Sequence, residues 1–184
     1  MSFGFTSVAP NPDEYNLYFS KSLKDNLPAP ILPLGYTIRP LNDIGEFEKY
    51  QSLHGFAQVN PGHLGEQFAS DEYRHLIVIH PNGDFAAYCE CSICRAEWRS
   101  SCQRIGWIDY IETRPEYQKQ GLAWAILFTA LAQLRTWGVD TAMLVTINTN
   151  LPAVSLYEKT GFERADIAEA QRYEKQIQVD NVIT

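Results

Sequence analysis

The segment RPEYQKQGLAWAI, residues 114–126, joins a strand-like run to a helical run through one short turn. A helix that starts this way exposes backbone N–H groups with no intrahelical partner, and its dipole adds partial positive charge. Such a turn can hold an anion, a phosphate above all. Gly121 permits close backbone approach and Ala123 keeps the first turn uncrowded. Gln118 can donate an amide hydrogen and Lys119 can add charge. Taken alone, the turn reads more readily as an ordinary helix start.

Other residues could also do chemistry. Asn150 and Tyr157 stand in NLPAVSLYEKTGF, where in isolation they read as an N-cap and a core-facing aromatic. Asp109 and Glu112 lie in WIDYIET, and strand alternation places them on opposite faces, so that one of the two can meet a substrate. Cys89, Cys91, Cys94 and Cys102 cluster in YCECSICRAEWRSSC, but only Cys91 and Cys94 have C-x-x-C spacing. A structural zinc site needs paired knuckles, so no metal is expected. Cys89 and Cys91 read as small, half-buried residues on one strand face.

The elements that must position these residues follow from periodicity. The segment 11–26 opens with Asn11 and Pro12 as a helix start and spaces Tyr15, Tyr18, Phe19 and Leu23 for one helical face. LPAPILPLG, with three prolines in nine residues, reads as a linker. YTIRPL opens the domain proper at residue 36. Helices follow in DIGEFEKYQSLHGFA and PGHLGEQFAS, then strands in HLIVIH, DFAAYCECSI and QRIGWIDYIET. GLAWAILFTALAQLRTWG is the most regular helix, stopped by Gly138. TAMLVTI is a buried strand, NLPAVSLYEKTGF a short helix ended by Gly161, and FERADIA and RYEKQIQV two closing strands. The division is therefore 1–35, a helical extension and linker, and 36–184, the domain.

Two spaced patterns carry a family resemblance. Q-x-x-G-x-A at 118–123 and N-x-x-A-x-x-x-Y-x-x-x-G-F at 150–162 together resemble the GCN5-related N-acetyltransferase (GNAT) superfamily. The lead-in YIETRPEYQKQGLA is similar too, with Ile111 at the family's Leu position and Thr113 in place of Val. LPLGYTIRPL resembles the connector into the second half of the tandem mycothiol synthase-like group, which marks a boundary and assigns no chemistry.

The resemblance implies an α/β (α+β) GNAT fold: a mixed sheet of about six to seven strands, splayed at its central parallel pair and flanked by about four helices. Strands 107–113 and 141–147 would border the gap that takes acetyl-CoA. The backbone of Ile111 and Thr113 would pair with the pantetheine arm, and Asn150 would hydrogen-bond it. Backbone amides of Lys119, Gln120, Gly121, Leu122 and Ala123, assisted by Gln118, would hold the pyrophosphate. Tyr157 would protonate the departing thiolate; a phenol near pKa 10 suits a thiolate of similar basicity. Many members carry an acid where this chain has Trp107, and some carry a glutamate where it has Val145. Glu112, nearer the splay than Asp109, is then the favoured base, against a water relay. Acceptor contacts in the family come from the first two helices, here with His54, Phe56, Asn60, His63, Glu66 and Glu72.

The expected activity is transfer of acetyl from acetyl-CoA to a primary amine of a small molecule or peptide by direct attack in a ternary complex. The alternative is a degenerate module that binds CoA or a protein partner without turnover. Composition agrees with a globular domain: 45% hydrophobic and 20% charged residues, with net charge −7. That acidic balance argues against a nucleic-acid partner and suits a cationic one. No apolar run reaches membrane-spanning length and the N-terminus lacks signal-peptide patterning, so the expectation is cytoplasmic, with no membrane partner. A homodimer is compatible with this reading.

Overall fold

A computed structural model describes residues 13–41, 43–47, 61–101 and 103–165. Seven strands form one sheet: β1 Asn16–Ser22, β2 Thr37–Pro40, β3 Tyr73–Ile79, β4 Phe85–Ile93, β5 Ile105–Thr113, β6 Thr141–Ile147 and β7 Glu163–Arg164. Their spatial order is β2-β3-β4-β5-β6-β1-β7. Every neighbouring pair is antiparallel except β5 and β6. The helices are α1 Pro61–Ala69, α2 Arg95–Ser101, α3 Leu122–Thr136 and α4 Leu151–Lys159. The mixed seven-stranded sheet matches the expected class.

The principal core lies between one sheet face and α3 and α4, where Leu127, Leu131, Leu134, Val78, Cys89 and Ile108 are buried. Cys89 and Cys91 share that face, as their spacing predicts, but both are fully buried and not half-buried, because α3 covers the strand. The opposite face carries a smaller core of Leu41, Phe47, Ile77, Phe85 and Tyr88, with Phe68 of α1 packed on it.

Two local devices aim α3. Gly106 of β5 leaves room for the C-terminal end of the helix, because a Cβ there would stand 2.8 Å from Leu134 and Val139 side-chain atoms. Gly138, at φ 91°, reverses the chain: its amide donates to Arg135 and the Val139 amide to Leu134, satisfying the last carbonyls. With its C-terminus held against β5, the helix presents its N-terminus beyond the other end of that strand.

The helix expected over residues 11–26 is instead a strand, although Asn11 and Pro12 lie outside the described residues. β1 pairs with β6 from Asn16↔Ile147 to Ser22↔Thr141 and lies inside the sheet. The physical reason is two-sided burial. Phe19 (0% exposed) packs into the α3–α4 core, whereas Tyr18 (3%) joins Ile105, Trp107 and Met143 on the other face. Adjacent residues reach opposite faces only in an extended chain. The sequence reading did not include α2, a short insertion whose Trp98 indole donates to the Ile105 carbonyl at 2.7 Å. The helix expected from residue 43 is present as an α-helical stretch over 44–47, where its described residues end, and RYEKQIQV lies outside the described residues.

Candidate active site

The turn before α3 has an anion-binding geometry. Lys119 (φ 60°) and Gly121 (φ 81°) are left-handed, curling the chain so that successive amides converge. Among the described residues, none of the amides from Lys119 to Ala123 makes a backbone hydrogen bond. A Cβ on Gly121 would meet nothing within 4 Å, so the space above these donors is open. Gln118 is folded back, its Nε2 donating to the Thr113 carbonyl at 3.1 Å, which closes the turn onto the end of β5. Gln120 accepts from the Tyr36 hydroxyl at 2.8 Å. The proline-rich segment passes alongside, and Ile31, Leu32 and Pro33 border with Gln120, Gly121 and Trp124 an open depression of about 620 Å³.

The parallel ladder of β5 and β6 runs only from Ile105↔Thr141 to Ile108↔Leu144. Beyond it the strands part: β5 continues against β4 and β6 against β1. A wedge therefore opens, with Ile111 and Thr113 on one side and Val145 and Ile147, both about 40% exposed, on the other. Thr113 Oγ1 is buried without a hydrogen-bond partner, a polar atom left for a ligand to satisfy.

Tyr157 lies beneath this wedge. Its ring packs between Phe19 and Phe162, and burial, followed by the nearby Cys89 thiol, raises its pKa to about 12. Cys89 is the cross-strand partner of Ile111, which puts the phenol close to the gap strand. Among the described residues the Tyr157 hydroxyl has no hydrogen-bond partner. It stays protonated at neutral pH, ready to donate. Asn150 is the N-cap of α4, its side-chain oxygen accepting from the Ala153 amide at 3.4 Å.

The carboxylates are not arranged as strand alternation predicts. β5 carries a bulge: Glu90 faces Tyr110 and Cys91 faces Ile108, so Asp109 is the extra residue. One added residue reverses the parity of everything after it. Asp109 hydrogen-bonds Ser92, Tyr110 packs against Tyr88, and Glu112 accepts from the Tyr110 hydroxyl at 3.1 Å. Asp109 and Glu112 therefore share the face opposite α3.

Glu90, which the sequence reading missed, joins them. Its Oε1 accepts from Gln67 Nε2 at 3.1 Å and its Oε2 from the Tyr88 hydroxyl at 3.2 Å. Desolvation and then Asp109 raise Glu90 to a pKa of about 7. Asp109 is open to solvent on one side, yet desolvation by the surrounding protein raises it to about 6. His75, fully buried, is lowered to about 4 by burial and then by Arg74, so it is neutral; its Nδ1 lies 2.7 Å from the Tyr88 hydroxyl. Glu72 is engaged by Arg95 and Glu66 is exposed. The side chains of His54, Phe56, Asn60 and His63 lie outside the described residues.

A splayed parallel pair, a helix start with free amides beside it and a buried phenol are brought together at one end of the sheet. The family model described as "Acetyltransferase (GNAT) family" matches residues 43–162, and the chain belongs to that family of acyl-CoA-dependent acetyltransferases. It is 29% identical over 153 residues to the mycothiol acetyltransferase of Thermobispora bispora, covering 78% of this chain and 52% of that protein. The chain thus spans about half the length of the curated relatives it matches. In fold it resembles a GCN5-related N-acetyltransferase from Sphaerobacter thermophilus (TM-score 0.65, 19% identity, 84% of this chain and 50% of that one). It also resembles the Escherichia coli ribosomal-protein-S18-alanine N-acetyltransferase (TM-score 0.57, 24% identity, 71% and 79%). Among the described residues no helix is long and apolar enough to cross a membrane.

Proposed function

We propose that this chain transfers an acetyl group from acetyl-CoA to a primary amine. The observation that carries the reading is the wedge between β5 and β6, with free amides at one end and Tyr157 beneath it. The amides of Lys119 to Ala123 hold the pyrophosphate, with Lys119 adding charge. The open edge of β5 at Ile111 and Thr113 aligns the pantetheine arm, and Asn150 contributes a further polar contact to it. Held in this way, the thioester carbonyl meets the amine from the face that carries Asp109 and Glu112, and a carboxylate there takes the ammonium proton. Tyr157 gives its proton to the departing thiolate. Burial raises the phenol, and the same dry surroundings raise the basicity of the thiolate that forms beside it.

Similarity to a mycothiol acetyltransferase and to a ribosomal-protein-S18-alanine N-acetyltransferase supports acetyl transfer in general, and the acceptor here is a small-molecule or peptide amine. A second reading, a CoA-binding module without turnover, is favoured by Trp107, which stands where many relatives carry an acid and whose buried indole N–H has no partner. Thiol release from acetyl-CoA across a panel of primary amines separates the two. Turnover supports the enzyme; a melting-temperature rise with acetyl-CoA but no turnover supports the module; no rise at all removes both.

A further inference from the structure

Glu90 and Asp109 lie on adjacent strands on the face opposite α3, with no Arg or Lys partner among the described residues. Among the described residues, the basic group paired with Glu90 is His75, 3.9 Å away and neutral. Neighbouring carboxylates with no cation between them repel, and no Arg or Lys among the described residues offsets that repulsion.

The second observation concerns Gln67. This side chain is nine-tenths buried, and its amide end lies against Glu90 through the Nε2 hydrogen bond. Its Oε1, on the same amide, is buried without a partner. Rotating the amide would bring Oε1 against the carboxylate and lose the hydrogen bond, so the orphaned oxygen is built in. A buried carbonyl oxygen on the amide that touches Glu90 lacks a donor, and a positively charged donor there would satisfy it and the carboxylate pair together. Tyr73 and Tyr110 flank the carboxylates. Burial and these acids together hold Tyr73 at about 12, and burial followed by Glu112 raises Tyr110 as well, so both are neutral aromatic walls suited to a cation.

We propose that Gln67, Glu90 and Asp109 form the receptor for the ammonium group of the acceptor, and that the Glu90–Asp109 pair is its proton acceptor. The inference rests on the amine-acetylation reading and replaces Glu112 with a pair that spans β4 and β5. Tyr88, donating to Glu90 and backed by His75, positions the carboxylate. The first ammonium proton passes to the pair and on to solvent. The freed lone pair then forms the N–C bond at the thioester carbonyl, and the C–S bond breaks as the adduct collapses. The second nitrogen proton leaves in that step and replaces the one that Tyr157 gives to the thiolate. The sum is amide, free thiol and one proton released.

The test titrates the acetyl-CoA-loaded full chain with spermidine, tyramine and glucosamine, reading binding by calorimetry and turnover by thiol release. At least one amine is expected to bind. Glu90→Gln and Asp109→Asn should each weaken that amine about tenfold or more while leaving acetyl-CoA affinity within about twofold. Gln67→Leu should raise KM for the amine and change kcat little, as expected of a residue that positions and does not take the proton. The proposal is overturned if none of the three amines binds, if Glu90→Gln binds and turns over as the wild type does, or if acetyl-CoA affinity falls in parallel. Failure of the wild type to bind acetyl-CoA would instead remove the reading beneath it.

Discussion

The backbone amide of Phe162 donates to the Tyr157 carbonyl at 3.0 Å, and the two rings pack 6.0 Å apart between centroids. Gly161 between them is left-handed at φ 79°, and its own amide donates to the Glu158 carbonyl. This is a glycine-terminated helix end with its apolar clasp, so one motif both stops α4 and anchors the phenol.

Tyr157→Phe separates the two roles. The ring contacts with Phe19 and Phe162 persist, and the lost hydroxyl has no partner among the described residues. Stability in urea should therefore change by less than about 1 kcal/mol. If the phenol is the acid, kcat should fall about 100-fold. Unchanged kcat would remove Tyr157 from the chemistry.

Gly121 and Gly138 form a natural control pair. Both are left-handed, at φ 81° and 91°, and an added Cβ meets nothing closer than 3.9 Å at either. Alanine at each position should cost about 1–2 kcal/mol of stability from backbone strain alone. Only Gly121→Ala should also weaken acetyl-CoA binding, measured by calorimetry, because only Gly121 opens onto the free amides. Equal affinity in the two variants would leave the turn a mere helix start.

β1 lies inside the sheet, between β6 and β7, so residues 16–22 should be needed for folding. Phe19→Ala should destabilise by about 3–5 kcal/mol. A chain shortened to 36–184 would leave β6 unpaired along its seven-residue contact with β1, and it should lose cooperative thermal unfolding. A 36–184 chain that melts as the full chain does would put the domain boundary at residue 36.

The Glu90–Asp109 pair also makes stability depend on pH. Both acids have raised pKa values in the folded chain, about 7 and about 6, so that state holds more protons than the unfolded one. Their contribution is complete below about pH 4 and is lost as pH rises through 6 to 7. His75, lowered to about 4, acts oppositely: its contribution is present above the ordinary histidine value and lost as pH falls towards 4. The difference between Glu90→Gln and wild type largely removes the His75 part. In denaturant titrations it should move in favour of the variant by roughly 1–3 kcal/mol between pH 4 and pH 8. A difference independent of pH would contradict the raised Glu90.

Much of the site could be read from the chain because its signals are local. Gly121, Asn150, Gly161 and Gly138 each act on amides and carbonyls within about five residues, so their spacing alone specifies helix starts and stops. The β4 and β6 segments were equally legible, since long apolar runs bounded by turn residues have few alternatives. The same locality made the family recognisable.

Three features are not local. Tyr15, Tyr18, Phe19 and Leu23 satisfy a helical stripe, and only pairing with β6, more than 100 residues away, makes an extended chain the better solution. The extra residue at Asp109 has no marker in WIDYIET; the bulge arises from matching β5 to β4, and it turns Asp109 and Glu112 to one face. Glu90 gains its meaning from Gln67 on α1 and Asp109 on β5, brought to it by folding. Short-range hydrogen bonding leaves its record in residue order, whereas the face a strand presents and the company a carboxylate keeps depend on which distant strand lies beside it.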